Sequence, residues 1–358
     1  MLHFLIASKS IFGLIIIAMF ILASPGCKKD TTTVTATYNE VNLVADTAGF
    51  NAVRIDATLG NPWGIAIRPT GAFWISANHT GSAVIYDNNG NQVTTPINIP
   101  LGANPNGASP DGVIYNSTSD FTIPGNGSSL FISSTEDGII TAWSEITSAS
   151  TVTVADRSAE GVVYKGIAMA TDGGENFLYA TDFHNGKIDV FDKNFAFVST
   201  KPFNDPGIPA GFAPFGIQNI GNQLYVTYAK QLAPDNHDDE RGLGNGYIDI
   251  YTPAGTLVKR FASQGKLNSP WGIAKASTAF GQVANAILIG NFGDGYINVF
   301  DANGTYQGQL MNNGVAISID GLWAITFDDA FPEISDQLFF TAGPNQEAHG
   351  LFGYVKKM

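Results

Sequence analysis

The chain has a single cysteine, Cys27, among 358 residues, so no internal disulfide can hold the fold together. Positive charge is also scarce, since 18 Lys and Arg residues stand against 31 Asp and Glu residues and give a formal net charge of -13. Such an acidic surface repels phosphates, which argues against nucleic acid as a partner. Stability must come from the core and the topology, and 44% hydrophobic residues suffice for a large core.

The sequence also lacks the motifs of several enzyme classes. It contains neither the G-x-S-x-G elbow of serine hydrolases nor a P-loop. The glycine-rich stretch 242–246 is not followed by a helical pattern, so it is not a dinucleotide-binding fingerprint. No catalytic residue can be assigned from a motif, and the sequence favours a protein without catalytic activity over an enzyme.

The N-terminus carries one apolar run, residues 11–23, which follows Lys9 and is too short to span a bilayer comfortably. Its proportions are those of a signal peptide, and Gly26 and Cys27 follow it directly. This arrangement resembles a bacterial lipobox, which implies cleavage before Cys27 and lipid attachment to its thiol. Pro25 departs from the usual small residues, and an ordinary signal peptide with an incidental cysteine is the alternative.

These features predict three segments: a lipoprotein-type signal peptide at 1–26, a flexible tether at 27–37 and a single folded domain at 38–358. The expected location is the cell envelope, either the periplasmic face or the outer-membrane surface. The lipid would be the only membrane attachment, and the protein is expected to be a monomer.

A repeat organises the rest of the chain. A short apolar strand begins near a glycine, and a pair of strands joined by a tight turn follows, as in LYATDFHNGKIDVFD at 178–192. The glycines are Gly64, Gly112, Gly166, Gly216, Gly272 and Gly321, with spacings of 48, 54, 50, 56 and 49 residues. Six such units predict an all-β protein, a six-bladed β-propeller.

The last unit supplies only three strands, at LWAITF, QLFFTA and GLFGYV, before the chain ends. The N-terminal stretch 38–46 alternates apolar and polar residues and is not used by any other unit. We therefore expect it to pair with blade six and close the ring.

Four of the five histidines fall in the predicted turns between the second and third strands, at His79, His184, His237 and His349. In a propeller these turns share one face with the approach to the first strand. Histidine is a common metal ligand and acid–base group near neutral pH, so the clustering predicts a polar, titratable top face. Each histidine on its own could equally cap its turn.

The longest of these turns, in blade four, concentrates acidic residues: Asp235, His237, Asp238, Asp239 and Glu240 lie within six positions. Such dense like charge repels unless it is solvated or bound to a cation. The turn is either a cation site or lid, or a solvated surface loop, and it lacks the EF-hand spacing. If a metal binds, Asp235, His237, Asp238 and Asp239 are the expected ligands and Ca²⁺ the expected ion.

Two further groups have competing interpretations. Asp137-Gly138, Asn185-Gly186, Asn245-Gly246 and Asp294-Gly295 could supply ligands, but type I′ hairpin turns are the favoured interpretation. Trp63, Phe215 and Trp271 precede first-strand glycines. They could stack on a ligand at the channel mouth, although rings at such positions more often wedge between neighbouring blades.

Several segments together resemble one uncharacterised bacterial propeller family, related in layout to NHL-repeat and YVTN-like propellers. They include TEDGIITAW at 135–143, VYKGIAMA at 163–170, HDDERGLGNGYIDIY at 237–251 and FTAGPNQEAHGLFG at 340–353. The resemblance covers about residues 40–355. It implies a secreted or envelope six-bladed propeller and no particular reaction. The candidate ligand-binding residues of the top face are His79, Glu136, Asp137, Lys165, Asp182, His184, Lys230, His237, Asp238, Asn291, Asp294, Glu347 and His349.

Three functions remain open. The first is an envelope-anchored binding module whose top face holds a small molecule, a glycan or an envelope protein. The second is a metal-dependent hydrolase of lactones or esters that resembles gluconolactonase-type propellers, with Asp182, His184, His237, Asp238 and Asn291 as ligands and base. The third is a structural scaffold without a small ligand. Acids in those enzymes come from channel-lining strands, whereas here they cluster in turns.

Overall fold

The structure is a computed structural model that describes residues 1, 34–101, 107–328 and 330–358. Among these residues the secondary structure is almost all β, with short 3-10 helices at Asn78–Thr80, Ser158–Glu160, Gly281–Val283 and Pro332–Ile334. No helix in the described part is long and apolar enough to cross a bilayer. The predicted signal peptide and Cys27 lie outside the described residues.

Six sheets surround a central axis, because the first strand of each blade contacts the first strands of both neighbouring blades. The predicted six-bladed β-propeller is therefore confirmed. The strands of blade one are Pro62–Ile67, Phe73–Ala77, Ser82–Tyr86 and Ile97–Asn98; those of blade two are Pro110–Tyr115, Phe131–Thr135, Ile139–Trp143 and Val152–Asp156; those of blade three are Tyr164–Asp172, Glu175–Asp182 and Lys187–Phe191.

Blades four to six complete the ring. The strands of blade four are Phe212–Ile220, Gln223–Lys230, Gly246–Tyr251 and Leu257–Ser263; those of blade five are Pro270–Lys275, Ile287–Asn291, Ile297–Phe300 and Tyr306–Gln309; those of blade six are Leu322–Phe327, Gln337–Ala342, Leu351–Lys357, Tyr38–Ala45 and Arg54–Ile55. Two small hairpins lie outside the blades, Thr122–Ile123 with Gly127–Ser128 and Met311–Asn312 with Val315–Ala316.

The two ends of the chain close the ring, as the sequence predicted. Tyr38–Ala45 pairs antiparallel with Leu351–Lys357, in a register that runs from Tyr38 opposite Lys357 to Ala45 opposite Leu351. Arg54–Ile55 then adds a short parallel strand on the outer edge. Opening the ring would break this whole ladder, which is why closure of this kind stabilises a propeller.

Packing begins a few residues earlier than the predicted domain start at residue 38. Val34 is buried, and the backbone N–H groups of Thr35 and Ala36 both donate to Gln282 Oε1 at 2.8 Å. Residues 34–37 were included in the predicted flexible tether, but in the structure they lie against blade five. The chain thus enters the propeller at the end of blade six where Tyr38 lies opposite Lys357.

The repeating glycines have a steric cause. A Cβ atom on Gly64 would lie 2.6 Å from Asp111 O, and one on Gly112 would lie 2.6 Å from Ile167 N. Real Cβ atoms do not approach this closely, so the inner strands of neighbouring blades pass backbone against backbone only where the side chain is missing.

Gly321 has a different role from the other five glycines. It has a φ of +67° and ends the turn before the first strand of blade six, rather than lying within that strand. In blade six, Ala324 after Trp323 occupies the place that Gly272 after Trp271 occupies in blade five.

The four Asx-Gly dipeptides are not type I′ turns, because that turn needs positive φ at both central residues. Only the glycine has positive φ in Asp137-Gly138, Asn185-Gly186 and Asp294-Gly295, and neither residue does in Asn245-Gly246. The carboxylates bond to nearby backbone instead: Asp137 Oδ2 accepts from Ser109 N at 2.8 Å, and Asp294 Oδ1 accepts from Tyr296 N at 3.3 Å.

The first strand of each blade begins, and the second ends, at one face of the propeller, which we call the top face. Towards the opposite, bottom face the inner strands surround a cavity of about 340 Å³. Apolar side chains such as Ile67, Val113, Met169 and Phe327 dominate its wall. Charged groups along the axis are therefore confined to the top face.

Candidate functional site

The densest polar cluster lies at the top face around Lys165, near the start of the first strand of blade three. Lys165 is only 2% exposed, and its Nζ forms an ion pair with Glu136 of blade two. Asp238 Oδ1, from the long turn of blade four, lies 3.6 Å from the same Nζ. Burial lowers the pKa of Lys165, but the attraction of Glu136 and Asp238 outweighs it, so the net pKa is raised and the ammonium stays charged.

An aromatic floor supports this ammonium. Its six rings are Trp63, Phe183, Phe215, Trp271, Phe292 and Trp323. Trp63 and Phe292 stack on the two faces of Trp323, with ring centroids at 3.5 and 3.8 Å. Lys165 Nζ lies 5.1 Å from the Trp63 ring centroid, and Trp271 Nε1 donates to Lys165 O at 2.8 Å.

The packing of these rings corrects the interpretation favoured from the sequence. Trp63, Phe215 and Trp271 do not separate neighbouring blades but pack together at the axis. Rings that meet in this way close the top of the channel, because Trp63, Phe215 and Trp323 are each at most 2% exposed.

Amide and guanidinium groups surround the lysine. Asn78 Nδ2 donates to Glu136 Oε2 at 3.0 Å, and Asn61 Nδ2 donates to Glu347 Oε2 at 3.0 Å. Arg241 Nη2 lies 3.5 Å from the other oxygen of Glu347. Five blades thus contribute to one cluster, which we call the top mouth and define as Asn61, Asn78, Glu136, Lys165, His237, Asp238, Arg241 and Glu347.

His237 and Asp238 form the solvent-facing side of the top mouth, with His237 Nδ1 at 3.1 Å from Asp238 Oδ1. This hydrogen bond raises the pKa of His237 and lowers the pKa of Asp238 to about 2. Burial has the opposite effect on Glu347, whose pKa is raised. The top mouth therefore combines three kinds of group. Asp238 stays ionised, His237 holds its proton more firmly than an ordinary histidine, and Glu347 gains a proton more readily than an ordinary glutamate.

Asp111 is fully buried close to the ion pair. Gly112 N and Ser134 Oγ donate to its Oδ1, and its Oδ2 has no hydrogen-bond partner among the described residues. Burial raises the pKa of Asp111 to about 8, and repulsion from Glu136 contributes to the increase. At neutral pH this carboxyl is therefore mostly protonated and uncharged.

The structure brings six of the candidate residues together. Glu136, Lys165, His237, Asp238 and Glu347 belong to the top mouth, and His79 Nε2 lies 3.3 Å from Asn61 Nδ2 at its edge. Five of these six come from turns and Lys165 comes from the first strand of blade three, and all six lie at the top face.

The other seven candidates make contacts outside the top mouth. Asp137 bonds Ser109 N; Asp182 accepts from Asn185; His184 bonds Asp235 O at 3.0 Å; Lys230 pairs with Glu240; Asn291 donates to Asp294; and His349 pairs with Asp46. Asp182, Lys230 and Asn291 bond within their own turns, which is the pattern of turn-stabilising contacts, whereas Asp137, His184 and His349 bond to segments 28, 51 and 303 residues away in sequence.

One group in the described part has metal-ligand spacing. It consists of Glu136, His237 and Asp238, whose ligand atoms lie within 4.8 Å of one another. Of the four predicted metal ligands, His237 and Asp238 belong to it, while Asp235 and Asp239 do not. Burial raises the pKa of Asp239, so this carboxyl binds a proton more readily than an exposed one.

The donor set fits Ca²⁺ poorly. Calcium takes about six to eight oxygen ligands, whereas the group offers two carboxylates and one imidazole. The Lys165 ammonium already lies against both carboxylates, and a dication would have to displace it. One nitrogen and two oxygens suit a transition metal such as Zn²⁺ better.

Sequence reasoning missed Asn61, Asn78, Asp111 and Arg241, although the repeat contained a usable signal. The residue just before the first-strand glycine, or before Ala324 in blade six, points at the axis in every blade. The six residues at this position are Trp63, Asp111, Lys165, Phe215, Trp271 and Trp323, and all are buried. Four are aromatic, and only blades two and three carry an ionisable residue there.

Comparison with known proteins identifies relatives along most of the chain. An uncharacterised protein of Acanthamoeba polyphaga mimivirus is 34% identical over 333 residues, which cover 89% of this chain and 80% of the viral protein. A second uncharacterised protein of the same virus is 33% identical over 332 residues, covering 89% of this chain and 86% of the relative. This chain belongs to the family of those mimivirus proteins. The sequence resemblance was to bacterial propellers, whereas these relatives are viral.

No protein-family model matches the chain. Among solved structures, a streptogramin B lyase has a TM-score of 0.54 at 14% identity and covers 90% of this chain and 97% of its own. A gluconolactonase from Xanthomonas campestris has a TM-score of 0.52 at 14% identity, with coverages of 84% and 87%. A calcium-binding regucalcin from Agrobacterium tumefaciens has a TM-score of 0.53 at 13% identity, with coverages of 84% and 91%. At these identities the similarity shows the propeller fold alone.

Proposed function

We propose that this protein is a binding module whose top mouth holds a small polyhydroxylated ligand such as a sugar. The observation that carries the proposal is the repeat position before the first-strand glycine. Four blades fill it with an aromatic ring, and blades two and three fill it with Asp111 and Lys165 instead. Perturbed titratable groups that meet in one place are typical of functional sites.

The fold itself does not require these charges. An aromatic residue in this position packs well at the axis, whereas a buried ion pair is often no more stable than apolar residues of similar size. The floor also contains an unused donor, since Trp63 Nε1 is buried and has no hydrogen-bond partner among the described residues. Buried polar groups are normally paired, so a ligand oxygen is a suitable acceptor for this N–H.

The ligand class follows from the chemistry of the top mouth. Carboxylates and amides predominate, at Asn61, Asn78, Glu136, Asp238 and Glu347. Such groups accept from and donate to hydroxyl groups, while the ammonium of Lys165 donates to a ring or carbonyl oxygen. A single buried cation among several carboxylates disfavours a strongly anionic ligand.

The test uses ¹⁵N-labelled protein and the indole N–H signals of its five tryptophans. A panel of neutral monosaccharides, their disaccharides and the matching sugar acids is titrated in. We expect at least one sugar of the panel to shift the Trp63 and Trp271 signals. The Lys165→Met variant should show no such shift. Lys193→Met is the matched control, because Lys193 pairs with Glu175 on the exposed surface. Absence of a shift across the panel would contradict sugar binding and favour the scaffold function.

A second candidate is a metal-dependent hydrolase of lactones or esters. The observation that favours it is the spacing of Glu136, His237 and Asp238. The similarity in fold to a gluconolactonase and to a calcium-binding regucalcin agrees with it but assigns no chemistry. When bound there, a metal would polarise a carbonyl oxygen, and His237 would have to release its proton to coordinate it, so the raised pKa of His237 would weaken metal binding as pH falls.

Metal content measured by mass spectrometry on the purified protein, with thermal melts in the presence of a chelator, separates the two functions. If the protein is a metal-dependent hydrolase, the wild type should contain one divalent ion per chain and melt at a lower temperature with chelator. The Asp238→Ala variant should contain no such ion, and chelator should not change its melting temperature. The binding module predicts neither. Lys165→Met sharpens the test, since removal of the competing ammonium should increase metal affinity at a true metal site.

We further propose that the protein is exported, anchored by lipid on Cys27 and monomeric. The chain enters the propeller near residue 34, at the bottom of blade six, where Tyr38 lies opposite Lys357. Seven residues span at most about 25 Å, so such an anchor would hold the bottom face near a membrane and leave the top mouth facing away. Labelling with a fatty-acid analogue tests this: Cys27→Ala should abolish the label, and label retained in that variant would contradict lipidation.

A further inference from the structure

A second pocket lies between blades one and two, towards the bottom face and apart from the top mouth. Its volume is about 370 Å³, within the range of small-molecule sites. The last strand of blade one, Ile97–Asn98, is only two residues long and pairs with only the first two residues of Ser82–Tyr86. The lower half of the blade therefore lacks a full outer strand, and this leaves the space.

Packed aromatic rings form the inner wall of the pocket. Trp74 stacks on Phe131 with centroids 4.3 Å apart, and Trp143 lies against Trp74 at 4.9 Å. The rings contact one another directly, so a ligand would lie over this wall and not between its members. Val93 borders the same space and is 56% exposed, an unusual amount for an apolar side chain beside a cavity.

The wall contains an unpaired donor. Trp74 is 3% exposed, and its Nε1 has no hydrogen-bond partner among the described residues. Trp143, by contrast, donates its Nε1 to Ser148 O at 2.7 Å. Leaving a buried N–H unpaired is costly, so the Trp74 indole favours a ligand that brings an acceptor.

The rim contains a weakly held cation. Arg68 Nη2 pairs with Glu145 Oε1 at 2.7 Å, but Glu145 is 66% exposed. An exposed pair of this kind contributes little and exchanges readily. Arg157 and Arg260, by contrast, are fixed by the buried carboxylates Asp189 and Asp249. Arg68 can therefore exchange Glu145 for a ligand anion at low cost.

We propose that this inter-blade pocket binds an apolar small molecule that carries a carboxylate. The apolar part covers the wall of Trp74, Phe131 and Trp143. The carboxylate accepts from Arg68 at the rim, in place of Glu145, and from the indole N–H of Trp74 after a small shift of the ring. Nothing in this arrangement involves Lys165, so the site is independent of the function proposed for the top mouth.

Titration with 2-naphthoate, monitored by the five indole N–H signals of ¹⁵N-labelled protein, tests the proposal. The expected result is a saturable shift of the Trp74 and Trp143 signals, with those of Trp63, Trp271 and Trp323 unchanged. 2-Naphthylmethanol, which has the ring system but no charge, should bind the same residues roughly 10- to 150-fold more weakly, because charge-assisted bonds are worth roughly 1.5–3 kcal/mol.

Variants separate the two polar contacts. Arg68→Gln should weaken 2-naphthoate about tenfold and leave 2-naphthylmethanol unchanged. Trp74→Phe keeps a ring in the wall, removes the N–H and should weaken both ligands. Glu145→Gln should tighten 2-naphthoate, since it frees Arg68. Arg54→Gln is the matched control, because Arg54 is exposed on the outer strand of blade six, and it should have no effect. Shifts confined to the other tryptophans, or an Arg68→Gln affinity equal to wild type, would overturn the proposal.

Discussion

Two clusters of buried charge in this propeller look similar in outline and differ in construction. One is the top mouth, in which Lys165 pairs with Glu136 and approaches Asp238. The other lies within blade four and its preceding connection, where Arg260 pairs with Asp249 and Asp205. Both place a cation between two carboxylates. The comparison separates charge that holds the fold from charge that is available to a ligand.

The blade-four cluster is closed on itself. Asp249 is 0% exposed, and its second oxygen accepts from Tyr251 OH at 3.2 Å. Tyr251 in turn bonds Tyr228 OH at 2.8 Å. These residues lie on neighbouring strands of one sheet, so the network fixes strand to strand and leaves little capacity for a further partner.

The top mouth is open by the same measures. Its residues come from five blades, its carboxylates reach solvent, and both Asp111 Oδ2 and Trp63 Nε1 lack partners in the described part of the chain. A site of this kind contributes less to stability than its ion pairs suggest and keeps contacts free for another molecule. Substitutions in the two clusters should therefore change the stability of the protein by different amounts.

The largest effect is expected from Arg260→Met. The substitution leaves Asp249 buried without its cation, and breaking a buried pair on one side costs about 3–5 kcal/mol. Urea unfolding followed by circular dichroism measures the loss. Arg68→Met is the matched control, because Arg68 pairs with an exposed carboxylate and should change the unfolding free energy by less than about 1 kcal/mol. Equal losses in the two variants would contradict the claim that the buried Arg260–Asp249 pair holds the fold.

Asp111→Asn should change how stability depends on pH. The pKa of Asp111 in the folded protein, about 8, lies above its unfolded value, so the folded state holds the proton more tightly. Stability from this group is complete below about pH 4 and is lost as pH rises towards 8, with a slope of at most about 1.4 kcal/mol per pH unit. Asn mimics the protonated acid and should remove that slope. Urea midpoints between pH 5 and 8 test this, and an unchanged slope in the variant would contradict it.

Tyr251→Phe should have an intermediate effect. It removes the hydroxyl that donates to Asp249 and bonds Tyr228, at a cost of about 1 kcal/mol. Urea unfolding again provides the measurement. A variant as stable as wild type would indicate that the blade-four cluster is not a coupled network.

The smallest effect on stability is expected from Asp238→Asn, because the His237–Asp238 pair is largely exposed. Its measurable consequence is the pKa of His237, which the Asp238 hydrogen bond raises. Stability from the raised pKa is present below about pH 6.5 and is lost as pH rises through the folded value. NMR titration of the imidazole should find a lower pKa in the variant, and an unchanged value would mean that other groups set it.

The fold could be predicted because its constraints recur in the sequence. Glycines such as Gly64 and Gly112 recur since adjacent inner strands pass backbone to backbone. Blade six supplied one strand too few, and only the stretch at 38–46 could complete it. The extra packing at Val34 was not predictable, because it depends on one amide oxygen, that of Gln282, which accepts from two backbone groups.

The site could be predicted only in part, for a physical reason. Placement in a top turn is a consequence of strand order, so the sequence could assign His237 and His349 to the same face. Whether a turn leans towards the axis depends on packing between blades. His237 bonds Asp238 within the top mouth, whereas His349 turns outward to Asp46. Asn61 and Arg241 escaped notice because each joins the cluster through Glu347, which lies on another blade and far away in sequence.

The unfolding free energy of Lys165→Met tests the central claim most directly. Removal of the ammonium leaves Glu136 and Asp238 with access to solvent, at 14% and 68% exposure, and the apolar side chain can pack on the aromatic floor. The account predicts a protein as stable as wild type to within about 1 kcal/mol, or more stable. A loss of about 3–5 kcal/mol, equal to that expected for Arg260→Met, would show that Lys165 holds the fold and would contradict the account.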